Sequence, residues 1–130
     1  MDYTGIMKFV SKGCEGMTHY MHLKDTPFRK IASGEKSIEL RLYDEKRRAV
    51  KVGDTIVFDS LVDREAHICA TVTALHIFPS FKELYAALPL EKCGYSAGEK
   101  AKASDMDQYY TKEEQAQHGV IGIEIALCKE

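Results

Sequence analysis

Between Gly34 and Asp44 the chain reads Gly-Glu-Lys-Ser-Ile-Glu-Leu-Arg-Leu-Tyr-Asp, and this alternation narrows the choice of fold more than any other stretch. With a period of two residues, Ile38, Leu40 and Leu42 share one face while Ser37, Glu39, Arg41 and Tyr43 share the other. The pattern predicts a half-buried β-strand. One side feeds a core; the other carries an acid, a guanidinium and a phenol in a row. Such a row is either a solvated face with an ion pair or the wall of a site. Lys36 has the parity of the buried side, which places it in the turn ahead of the strand proper.

Around this strand the other elements follow from local pattern. His19, Met21 and Leu23 alternate with Tyr20 and His22, predicting a first strand over Thr18–Leu23. A short helix comes next, with Thr26 placed to cap it, Pro27 at its first position, Phe28, Ile31 and Ala32 as its apolar stripe and Gly34 as its stop. Gly53-Asp54 marks a turn before a strand over Thr55–Asp59 with Ile56 and Phe58 inward. From Ala66 a long strand shows Ile68, Ala70, Val72 and Ala74 on one face. Leu75 and Ile77 then take the opposite parity, which predicts a bulge near His76. Ser80 and Glu83 form a capping box for a helix with Phe81, Leu84, Tyr85 and Leu88 on one stripe. Thr111 and Glu114 form another, and a closing strand over Val120–Cys128 puts Ile121, Ile123, Ile125 and Leu127 on one face. Residues 91–108 lack a pattern and read as a lid or an unstructured loop.

Spacing between strands is too short for repeated strand–helix–strand units, which argues against a doubly wound parallel sheet. The expected fold is α+β: a small mixed β-barrel of five to six strands with about three short helices. At 130 residues one domain over 17–130 is expected, preceded by a loosely tied extension over 1–16. That extension has no unbroken apolar run, so neither a signal peptide nor a membrane span is expected, and a cytoplasmic location is the default. The four cysteines have no C-x-x-C spacing and are expected to be buried or idle thiols. No histidine–cysteine spacing suggests a metal site, and no phosphate-cradling glycine loop or serine elbow is present, so no metal and no cofactor are expected.

Net charge is −2, so any nucleic-acid contact must come from a local patch. The dense basic run is Lys46, Arg47, Arg48 and Lys51; it reads either as a solvated hairpin or as a track for a phosphate backbone. Arg41 and Lys36 can meet a phosphate, and Phe28, Tyr43, Tyr95, Tyr109 or Tyr110 can stack on a base. Glu39 can accept from an exocyclic amine or hold Arg41 in place. In a hydrolytic site the roles change: Glu39 becomes a base, or a neutral Lys36 becomes the base or nucleophile, a state that a neighbouring carboxylate disfavours.

Taken together, Gly-x-Lys-x-Ile-Glu-x-Arg after a short Pro-Phe helix, then Val-Gly-Asp-x-Ile-x-Phe, then Gly-Val-x-Gly-Ile-Glu-Ile resemble an ASCH domain from about Thr18 onward. Such domains are similar to the PUA fold, a pseudobarrel with a cleft beside its first helix. The resemblance implies that Lys36, Glu39 and Arg41 line that cleft. Members resemble RNA-binding modules, a single-strand ribonuclease, or hydrolases of the acetyl amide of N4-acetylcytidine. In the last group a Lys matches Lys36 and a downstream Glu, here Glu83 or Glu91, would complete the site; its Thr is replaced here by Glu39. The implied partner is single-stranded RNA or a modified nucleoside or nucleotide. A small hydrolase is the alternative and a protein-interaction module the third.

Overall fold

The computed structural model describes residues 16–128. Along the chain run β1 (Thr18–Leu23), α1 (Asp25–Ser33), β2 (Ile38–Leu42), α2 (Glu45–Arg48), β3 (Thr55–Ser60), β4 (His67–Phe78) and α3 (Phe81–Ala87). Two 3-10 turns follow, Leu90–Cys93 and Ala103–Gln108, and then α4 (Lys112–His118) and β5 (Val120–Leu127). The strands form one curled sheet in the order β1-β3-β4-β5-β2, a half-barrel of α+β class. β1 pairs with β3 in parallel, and every other pairing is antiparallel. The expected extension lies, apart from Gly16, outside the described residues.

Alternation sets the two packing layers. Met21, Leu23, Ile56, Phe58, Ile68, Ala70, Val72 and the odd-numbered isoleucines of β5 meet Ile31 of α1 inside the curl. On the convex side Ile38, Leu40, Leu42 and Val120 meet Phe81 and Leu84 of α3 and Met106 of the second 3-10 turn. β2 and β5 are therefore covered on both faces, and β2 is not the half-buried strand its alternation suggests. Its apolar face serves the outer core. Its polar face shares the inside of the curl with Ile121 and Ile123, the register partners of Arg41 and Glu39.

Several local expectations are corrected. α1 starts at Asp25: Phe28 N–H already donates to Lys24 O, so Thr26 and Pro27 fall inside the first turn and Thr26 caps nothing. The basic run is not a hairpin but one helical turn, because the Asp44 carboxylate accepts from Arg47 N–H at 3.1 Å. The register shift in β4 falls between Val72 and Ala74, ahead of His76. Residues 91–108 carry the two 3-10 turns, and Leu127 is exposed. Nor are all the thiols idle, for Cys69 and Cys128 face each other across β4 and β5 and form a disulfide. Register explains the encounter: Ala70 pairs with Leu127, so the next pair outward brings the two cysteines together.

A buried polar knot ties the start of β1 to β3. Asp54 accepts from Met17 N–H, from Lys51 N–H and, at 2.8 Å, from the buried His19 ring. Removing this carboxylate strands the buried His19 ring and two part-buried N–H groups, and a buried donor left unsatisfied costs about 1–3 kcal/mol. Asp54→Ala is accordingly expected to lower the urea-measured unfolding free energy by about 3 kcal/mol or more, with the far-UV spectrum at zero urea unchanged.

Candidate functional site

The site is built where α1 hands the chain to β2. Gly34 adopts the left-handed conformation (φ 88°) that ends α1, and its N–H donates to Ile31 O. Lys36 N–H then donates to Lys30 O and Ser37 N–H to Lys92 O, so the strand begins only at Ile38. Lys36 thus escapes strand parity, and its side chain runs inward. It passes over Gly94, where a Cβ would lie 3.2 Å from Lys36 Cδ. Any larger residue at position 94 would push against this lysine.

Lys36 and Arg41 close on Glu39 from two sides. Lys36 Nζ stands 2.7 Å from Glu39 Oε1, and Arg41 Nε donates to Oε2 at 2.6 Å. Glu39 is only 4% exposed. Burial pushes its carboxyl pKa up, but the two cations outweigh burial and hold it below the ordinary carboxylate range. Glu39 in return raises Arg41 against the opposing effect of burial. Oε1 is shut off from solvent and faces the Lys36 ammonium. Arg41 Nη2 also donates to His22 O on β1 at 3.0 Å, spanning the open side of the half-barrel between its two edge strands. Lys46 Nζ repeats the bridge to Tyr20 O.

These three charged groups line one part of a cavity of about 480 Å³. The polar flank of α1 (Thr26, Pro27 and Lys30) forms one wall, and Tyr85, Cys93, Tyr95, Asp105 and Tyr110 the other. On that second wall Tyr95 Oη donates to Asp105 Oδ2 at 2.8 Å, which leaves Tyr85 Oη to donate to Tyr95 Oη. Burial, first among the causes, raises the pKa of both phenols, so they stay neutral hydrogen-bonding groups. Tyr110 stacks on Phe81 with centroids 6.3 Å apart. Burial also pushes the Cys93 thiol up to about 11, leaving it a neutral thiol near pH 7.

Of the residues singled out from sequence, Lys36, Glu39, Arg41, Tyr95, Tyr109 and Tyr110 meet at this cavity. Phe28 and Tyr43 pack instead on the inner core. Arg48 lies over the Tyr43 ring and donates to His118 O, while Arg47 pairs with Asp44. Glu83 is occupied at the start of α3 with Ser80, and Glu91 lines a separate hollow with Glu35 and Lys92. Tyr85, Cys93 and Asp105 were not singled out. Tyr85 belongs to an apolar stripe and looks like core; Asp105 lies in a stretch without periodicity. Among the described residues no group of three His, Cys, Asp or Glu is placed to hold a metal ion. None of their helices is long and apolar enough to cross a membrane.

Glu39 titrates lower in the folded chain than its ordinary 4.5, so its contribution is complete above that value and drains as pH falls through the folded value. Stripping the anion from two buried cations costs about 3–5 kcal/mol. The gap in unfolding free energy between wild type and Glu39→Gln is expected to be of that size near neutral pH. It should narrow steadily in urea titrations below about pH 4.5.

The family model described as ASCH domain matches residues 21–129. The fold is similar to the crystal structure of hypothetical protein PH0355, with a TM-score of 0.74 and 32% identity over 86% of this chain and 100% of that one. It is also similar to the solution NMR structure of protein PF0455 from Pyrococcus furiosus, with a TM-score of 0.67 and 31% identity over 88% of this chain and 100% of that one. No curated protein gives a significant match. The family match covers almost the whole described chain, including both walls of the cavity: the chain belongs to the ASCH domain family.

Proposed function

We propose that the cavity binds a nucleobase or nucleotide. One observation carries this: a carboxylate fixed between two cations forms the polar end of an aromatic-walled hollow. A base edge offers ring acceptors beside N–H donors, and the triad offers the complement. Lys36 and Arg41 donate, Glu39 accepts, and the neighbouring tyrosines supply faces and hydroxyls. The volume lies in the range of small-ligand pockets, about 300–1,000 Å³.

Two further observations separate this reading from its rivals. Lys46, Arg47 and Arg48 each make an intramolecular contact, to Tyr20 O, Asp44 and His118 O, and none of them lines the cavity. That favours a compact ligand over a long RNA. Lys36 is committed to its ion pair with Glu39, and Glu83 and Glu91 stay out of the cavity, which favours binding over amide hydrolysis.

Calorimetric titration with the four ribonucleosides and their 5′-monophosphates tests the proposal. At least one is expected to bind. Arg41→Lys and Lys36→Met are each expected to weaken it about tenfold or more, the loss of one charge-assisted contact, while thermal unfolding stays cooperative. Affinity should change no more than about fourfold between 50 and 200 mM salt, since at most one phosphate is engaged. No heat from any of the eight compounds at millimolar concentration, or binding indifferent to both variants, would sink the idea.

A further inference from the structure

Tyr109, one of the tyrosines the sequence offers for stacking on a base, lines the mouth of the same cavity, and the inner site leaves it unused. It is 52% exposed, yet it is not loose: its N–H and that of Tyr110 both donate to Met106 O, closing the second 3-10 turn. The two tyrosine rings lie 6.4 Å apart at 57°, and Tyr110 in turn stacks on the buried Phe81. An aromatic line therefore runs from the outer core, past the triad, to solvent. At its outer end Lys24 Nζ sits 5.4 Å from the Tyr109 centroid, on the first residue before α1. A fixed, half-bare aromatic with a cation over it is the pairing that single-strand readers use, the ring taking a base face and the lysine the adjoining phosphate.

We propose that Tyr109 and Lys24 form a second subsite for the nucleotide adjoining the one held inside, so that the ligand is a short single strand of at least two nucleotides. This rests on the nucleotide-binding reading of the cavity and extends it outward. It also fits the modest charge of the mouth. Lys24 adds a single cation, enough for one linking phosphate and not for a long backbone.

The test compares 5′-monophosphates with dinucleoside monophosphates assembled from the same bases, titrated calorimetrically into the full chain. The best dinucleotide is expected to bind about tenfold tighter than its better component, in keeping with one added base stack. Tyr109→Ala should erase that increment while leaving monophosphate affinity within about twofold, because none of the contacts within the Lys36–Glu39–Arg41 triad involves Tyr109. Tyr109→Phe should keep the increment, and Lys24→Gln should diminish it together with its salt dependence. Equal affinity for one and two nucleotides in the wild type, or an increment that survives Tyr109→Ala, overturns the second subsite and leaves the inner site standing. Failure of every mono- and dinucleotide to bind overturns both.

Discussion

Arg41 is the side chain on which the rest of the architecture leans. The sheet is a half-barrel with β1 and β2 at its free edges, and no backbone ladder joins them. The guanidinium spans that gap by donating to Glu39 on its own strand and to His22 O on the other. A guanidinium suits the task because its donors are fixed in a plane and point in several directions at once. Glu39 supplies the counter-charge that makes burial of the bridge tolerable, and Lys36 supplies the counter-charge that makes burial of Glu39 tolerable. Closure of the fold and chemistry of the cavity are thus the same set of contacts. A cheaper apolar closure would seal the gap but would leave no polar lining.

That coupling also explains which chemistry suits the site. Catalytic acids and bases are usually groups whose environment pulls them away from their resting charge. Here the environment does the reverse. The acid is held more firmly ionised and the guanidinium more firmly protonated, while the nearby phenols and the Cys93 thiol are held neutral. Each of these groups keeps the charge it would carry in water. Donors and acceptors held in their resting charge states suit hydrogen-bonded recognition, in keeping with the proposed nucleotide site.

Much of the fold was legible because period-two alternation is local: β1, β3 and most of β4 and β5 stand where their apolar residues put them. What alternation cannot tell is which layer each face meets. β2 looks half-buried because its second face is charged, yet that face is roofed by the cavity walls. Tyr43 keeps the parity of Glu39 and Arg41, but it lies beyond the end of β2 at Leu42, where that inner side is core, and its ring packs there instead of lining the cavity. Phe28 was attractive as an aromatic. An amphipathic helix, however, spends its apolar stripe on the core, and only its polar flank remains for a ligand. Residues 91–108 offered no period because they are held by hydrogen bonds and two short 3-10 turns. A third of the residues lining the cavity lie there, out of reach of pattern.

The Cys69–Cys128 link closes a covalent ring with a sequence separation of 59 residues. Most of β4, all of α3, both 3-10 turns, α4 and β5 lie within it, and so does every tyrosine of the cavity wall. The lysines and the acid–guanidinium pair lie outside, on the N-terminal arm. Oxidation therefore divides the molecule into a hooped half and a linear half, meeting along the hollow. Within the hoop, chain entropy is already reduced before folding begins; the arm must still find its place by diffusion, and the charged triad is what it docks.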